Sequence, residues 1–293
     1  MKNRQQDSVI KRNRLPEVSH VLTKRSSVPV RMHTKSVPTR LFRYDKLLLR
    51  FLHSCYYKLE KSKTTIELFF SIRGSAPELL MHRDPLKPPM IKTLEITNIG
   101  QYEVSGNRNV WLWQLNDPGL ENYDYTNDAR AFLLMSDAWF LTNEDYAEED
   151  VVILDVKDLS LKFLTKINLS IAKKLSKYQE DAMPLRLKQI HIVNSPPVID
   201  KLFAVMKPFL KQEITDMVHF HTPKSDTLFQ YFKKEELPMD LGGYLPGMEV
   251  YMKKSMEVLM DKRTRILDEN FWKIDKNAKN SDDVGTFRTL AID

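Results

Sequence analysis

Residues 183–243 alternate strand, proline break, apolar helix, short strand and glycine turn, and few folds accommodate that order. Ile190-His191-Ile192-Val193-Asn194 reads as a strand, and Ser195-Pro196-Pro197 breaks it. An apolar helix follows over 198–210, then the short strand Met217-Val218-His219-Phe220-His221. Leu237-Pro238-Met239-Asp240-Leu241-Gly242-Gly243 closes the segment. In the helix, Val198 or Ile199, Leu202, Val205 or Met206, and Phe209 form one stripe, with Phe203 at its edge and Asp200, Lys201 and Lys207 off it. Such a stripe equally suits ordinary core packing. The prolines add a constraint. Pro196-Pro197 fixes the entry, and Pro208 interrupts the hydrogen-bond ladder near the exit. An apolar helix hinged at both ends beside a sheet is what a lipid pocket with a door requires.

The rest of the chain supplies the sheet. Over 108–116, Val110, Leu112 and Gln114 share one face and Trp111, Trp113 and Leu115 the other. Asp128 is expected to cap a helix over 129–141. Val151–Val156 is a continuous apolar run, as in a strand buried on both faces. A helix is expected over 161–178, with Phe163, Leu164, Ile167, Ile171 and Leu175 on one stripe. Alternation of this kind predicts an α/β fold with a mainly parallel sheet and helical crossovers. Before it, 41–72 is helical with a break near Tyr56-Tyr57. Arg73-Gly74 is expected to end that helix, and Ser75-Ala76-Pro77-Glu78 to start a short new one. A last helix is expected over 249–272.

Enzyme signatures are absent. Only eight glycines occur, and none forms a phosphate loop or a G-x-S-x-G elbow. Cys55, the single cysteine, sits in an apolar helical pattern, permits no internal disulfide and fits a reducing compartment. No run of 18 apolar residues and no secretory h-region is present, so a spanning helix is not expected. His219-x-His221 would share a strand face, but no third ligand stands at a spacing that completes a metal site, and structural hydrogen bonding is expected. The chain of 293 residues carries +6, whereas residues 1–40 hold ten Lys/Arg and two acids, +8. The remainder therefore sums to −2, and the basic character belongs to an arm expected to be largely disordered. Such an arm suits an anionic membrane leaflet better than nucleic acid, because no aromatic residue lies among its cations to stack on bases.

Two further stretches carry a resemblance. Asp45-Lys46-Leu47-Leu48-Leu49-Arg50-Phe51-Leu52 resembles the opening of the N-terminal helical module of the CRAL-TRIO lipid-binding family, and Ala76-Pro77-Glu78 its close. The 184–243 segment is similar to that family's lipid domain, whose members include tocopherol-transfer and retinaldehyde-binding proteins. After the basic tail at 1–40, the resemblance, which covers roughly 41–272, implies a helical module at 41–84 and a lipid-binding domain at 90–247, followed by a C-terminal helix and tail at 248–293. It implies a mobile gate helix over an apolar pocket, with Ile199, Leu202, Phe203, Met206 and Phe209 as gate residues. The inner wall would come from Leu133, Ser136, Trp139 and Leu154, with Leu161, Ile167, Ile171, Leu175 and Tyr178 across the pocket. Ile190 and Ile192 would form its floor, and Ser136, Tyr178 and His191 are candidate polar anchors. Arg186 and Lys188 match two of the four basic positions that bind phosphoinositide headgroups in tocopherol-transfer members; the other two fall on Glu213 and Met217. The closing turn has Asp240-Leu241 where the family usually has Glu-Tyr. The implied function is a monomeric cytoplasmic carrier, neither enzyme nor cofactor-dependent, that holds one hydrophobic ligand (a retinoid, tocopherol, sterol, carotenoid or phospholipid) and exchanges it during transient contact with an anionic membrane. The alternative is a lipid-sensing adaptor of the same fold without transfer activity.

Overall fold

The computed structural model describes residues 45–142 and 146–272. The expected basic tail at 1–40 and the polar end of the chain lie outside the described residues.

Helix α1 (Asp45–Ser54) buries Leu47, Leu48, Phe51 and Leu52 on one face. Tyr56 and Tyr57, both at positive φ, turn the chain into α2 (Leu59–Ser75). That helix does not end at Gly74. It runs one residue further, and the Ala76 N–H closes it by donating to the Ile72 carbonyl at 2.9 Å. Pro77 then opens α3 (Pro77–Leu80), where the missing N–H of proline costs nothing.

After α4 (Pro88–Ile96), strands β1 (Thr97–Val104) and β2 (Arg108–Leu115) form an antiparallel hairpin. Sequence patterning does not predict β1, because Thr97-Asn98-Ile99-Gly100 has no apolar alternation. A distant helix completes its burial. The Ile99 N–H reaches Met252 Sδ at 3.4 Å, and a Cβ on Gly100 would lie 2.5 Å from Tyr251 Cβ. Only glycine permits that approach.

Helix α5 (Tyr125–Phe140) is capped by Asp124, whose Oδ1 accepts from the Asn127 N–H at 2.7 Å. Asp128 is thus not the cap but a first-turn residue, free to point elsewhere. The helix is buried on nearly every side, as a central helix must be. Strand β3 (Glu149–Asp155) follows. The single helix expected over 161–178 is two, α6 (Phe163–Lys166) and α7 (Leu169–Asp181). Asn168 separates them, because its side chain caps α7 by accepting from the Ile171 N–H. Strand β4 (Leu187–Val193) leads to α8 (Ile199–Met206) and a 3-10 turn at Lys207–Phe209. Then come α9 (Gln212–Thr215) and β5 (Val218–Phe220). Two helices end the described chain, α10 (Met248–Leu267) and α11 (Glu269–Trp272).

The sheet runs in the order β1-β2-β3-β4-β5, parallel except for the first pair. Its register gives two unlike faces. Trp111, Val152, Ile190 and Val218 form one row, and Trp113, Leu154 and Ile192 the next. Both rows face the side of α5, α7 and α8. On the reverse face, Val110, Leu112, Val151 and Ile153 pack under Leu228, Phe232, Leu237 and Met248. The closing turn seals that side. A Cβ on Gly243 would lie 1.9 Å from the Leu237 carbonyl oxygen, so this position too requires glycine.

Candidate ligand pocket

The first face of the sheet is not fully covered. A cavity of about 720 Å³ lies between its two apolar rows and the helices above. The floor is Trp111, Trp113, Val152, Leu154, Ile190, Ile192 and Val218. One wall is Tyr123, Tyr125, Asp128, Ala129 and Phe132, with Phe163 beside it. The opposite wall holds Leu175, Ser176 and Met183. Ile199, Leu202, Phe203 and Met206 of α8 form the roof. Tyr56, Lys61, Arg186, Lys211 and Glu213 bring polar groups to the lining.

Several residues expected at the pocket are not in its lining, each for a local reason. Leu133 and Trp139 sit on the α5 surface packed into the core, and Ile171 likewise on α7. Ser136 spends its hydroxyl on the Phe132 carbonyl one turn back, at 2.9 Å. Leu161 precedes α6 and is exposed, and Ile167 lies in the break before Asn168, packed against the core edge. Phe209 falls in the 3-10 turn, off the stripe that a continuous helix would have given it. Tyr178 is buried beside Arg73, which donates to its hydroxyl at 2.6 Å.

His191 lies on the other face. Its register partners are Ile153 and His219, and a residue one step from Ile190 or Ile192 must point away from them. There its Nδ1 is 3.0 Å from His221 Nε2, and its Nε2 is 3.2 Å from Gln189 Oε1. Burial, then the neighbouring His221 and His219, push the His191 pKa down to about 3. Among the described residues no group of three or more metal-ligating side chains is found.

The polar groups that do reach the cavity differ from those expected. Asp128 accepts hydrogen bonds from Trp113 Nε1 and from the Tyr123 hydroxyl, both at 2.9 Å. Burial raises its pKa to about 6. The pair Trp111 and Trp113 on one strand face was the available signal for this wall. Asp128 itself was masked by its place among possible helix caps. Elsewhere in the lining, Arg186 is buried and engaged. Its Nε donates to the His53 carbonyl at 2.9 Å, its Nη1 pairs with Glu148, and its guanidinium lies over the Tyr56 ring. Lys188 is exposed, its ammonium 5.7 Å from the centre of the same ring.

The roof is tethered at its far end. Ser176 Oγ lies 2.5 Å from the Phe209 carbonyl oxygen, and Lys211 pairs with Asp181 at the end of α7. These ties lie just past Pro208, where the α8 ladder has stopped.

Known proteins share parts of this sequence. Residues 105–243 match the CRAL/TRIO domain, and residues 43–90 match the Pinta-like UBA domain. The human "Alpha-tocopherol transfer protein-like" is 27% identical over 209 residues, covering 68% of this chain and 58% of that protein. The rat "Clavesin-2" is 25% identical over 212 residues, covering 70% and 64%. The chain thus spans less than two thirds of the length of these relatives. The crystal structure of Sfh5 covers 75% of this chain and 81% of its own, at 12% identity and a TM-score of 0.48. With an apolar helix roofing a mainly parallel sheet, residues 105–243 of this chain are a CRAL/TRIO domain.

Proposed function

We propose that this chain encloses one hydrophobic ligand in the cavity beneath α8 and exchanges it at a membrane surface when α8 swings aside. The observation that carries this reading is the cavity itself, about 720 Å³ in a fold with ample apolar side chains to fill it. Close packing is the rule in protein interiors, so unfilled apolar space of this size calls for an occupant. Enclosing apolar ligand surface is worth about 25 cal/mol per Å². The "transfer protein" in a relative's name supports the same direction. Retention and exchange need no bond-making, so the function is binding rather than catalysis, carried out in the cytoplasm by a monomer that touches membranes transiently. Residues 1–40, with +8, supply that membrane contact.

One observation favours a second reading, a lipid-sensing adaptor without transfer. Arg186 is committed to Glu148 and His53, which leaves it ill placed to seize a phosphoinositide headgroup. A single experiment separates the two. The full chain, purified and extracted with organic solvent, should yield a bound lipid by mass spectrometry. Protein loaded with a fluorescent retinoid should then deliver it to anionic acceptor vesicles, faster at low salt. Retention without delivery would establish the adaptor, and no retained ligand would end both readings.

A further inference from the structure

The cavity is mostly apolar, and on the wall formed by α5 one acid enters its lining. Asp128 lies on the wall contributed by α5, with Tyr123, Tyr125 and Phe163 around it. Its carboxylate accepts from Trp113 Nε1 and from the Tyr123 hydroxyl. Among the described residues no lysine or arginine pairs with it. A carboxylate can accept about four hydrogen bonds, so two donors leave capacity unused. A buried carboxylate without a cation is unfavourable unless a donor or a cation arrives. Holding two aromatic side chains would need only an amide or a hydroxyl.

We infer that Asp128, steadied by Trp113 and Tyr123, is a polar subsite for the ligand's head, and that it selects a head that donates a hydrogen bond, an alcohol or an amine, over one that only accepts. The inference rests on the proposed ligand-carrying function and adds the class of ligand. An aldehyde, ester or ionised carboxylate would present lone pairs to lone pairs. An alcohol shares its proton with the carboxylate, and an ammonium also supplies the missing charge. Burial holds the Asp128 pKa at about 6, so the group is mainly ionised at neutral pH and becomes a donor itself in mild acid.

The test uses the full chain and a hexadecyl series sharing one tail: hexadecane, hexadecanol, hexadecylamine and methyl hexadecanoate. Each competes with diphenylhexatriene, read by fluorescence. At pH 7.5 the alcohol and the amine should displace the probe at concentrations roughly tenfold below the ester, the ratio set by one well-formed hydrogen bond. At pH 5 the ester should gain and the amine should lose. Asp128→Leu should erase the advantage of alcohol and amine while hexadecane competes as before. Asp128→Asn should keep the alcohol but lose the amine, and it decides the matter if the leucine variant does not fold. Equal competition by alcohol and ester, unmoved by either variant, would overturn the subsite and leave the carrier reading standing. Failure of the probe and of every hexadecyl compound to bind would overturn both.

Discussion

Asp137 holds two arginines with one carboxylate. Arg73 Nη1 donates to its Oδ2 at 3.1 Å, Arg73 Nη2 bonds its Oδ1, and Arg83 Nη2 bonds Oδ2. All three side chains are almost fully buried. Arg73 is further clamped between the rings of Phe69 and Trp272, at 4.2 and 4.1 Å. Asp137 on α5 raises the Arg73 pKa against the effect of burial, whereas burial lowers that of Arg83. Asp137→Ala would leave two guanidinium groups buried without an anion. Breaking such a buried pair costs about 3–5 kcal/mol, so urea denaturation should show a loss of that order. A loss below about 1 kcal/mol would mean that water reaches the site and that the network is not the joint between α2 and α5. Nothing in the sequence pattern marks this cluster. Arg73 is separated from Asp137 by 64 residues and from Tyr178 by 105, and local periodicity reports only neighbours three or four apart. Tyr178, an apparent ligand anchor on a helical stripe, serves this joint instead.

At the scale of elements, the roof is where sequence and structure meet most closely. The stripe of Ile199, Leu202, Phe203 and Met206 faces the cavity, because a period of 3.6 fixes which side chains share a face. Leu202→Asp would put a carboxylate beneath the roof, costing several kcal/mol by desolvation unless α8 lifts. Retention of a fluorescent retinoid or sterol analogue should fall steeply, while circular dichroism shows the helices of 45–80 still folded. Unchanged retention would show that α8 closes nothing. Strands β2, β3 and β4 are legible for a similar reason. Period two and a continuous apolar run are strong signals for half-buried and fully buried strands. What stays illegible depends on distant partners or on one competing side chain. Strand β1 needs Tyr251 and Met252 to be buried at all. The 161–178 helix splits because Asn168 caps better than it propagates. The pocket wall holds Asp128 and not Ser136, because Asp124 takes the capping role and leaves Asp128 to the lining, while Ser136 bonds back to the Phe132 carbonyl.

At the scale of the whole molecule, the two faces of the sheet respond to acid in opposite senses. On the reverse face, burial lowers the pKa of His191 to about 3 and also lowers that of His221. Burial, then Arg186, lowers His53, whose carbonyl Arg186 bonds. The groups facing His191 are His219, His221, Arg108 and the Tyr231 ring, none of them an anion. Each of these three histidines has a folded pKa below its unfolded value near 6.5. The unfolded chain therefore binds protons first as pH falls, and stability drops from about pH 6.5 downward, continuing toward pH 3 for His191. Asp128 acts with the opposite sign. Its folded pKa of about 6 exceeds the model-compound value of 3.8, so the folded state gains a proton first and is favoured as pH falls between those values. Carboxylates held low by partners, such as Asp84 bonded to Arg263, enter only near and below pH 4. Asp158, raised by burial too, acts in the same sense as Asp128, but between pH 7.5 and 5 the deep shift of His191, with His221 and His53 of the same sign, outweighs them. The urea midpoint should fall over that interval, and His191→Gln should flatten the fall by removing its deepest contributor. Asp128→Asn should steepen it, because an opposing group is gone while only Asp158, whose pKa burial also raises, remains of that sign among the described aspartates and glutamates. A midpoint that holds level from pH 7.5 to 5 in all three proteins would mean that the histidine cluster opens to water before it charges.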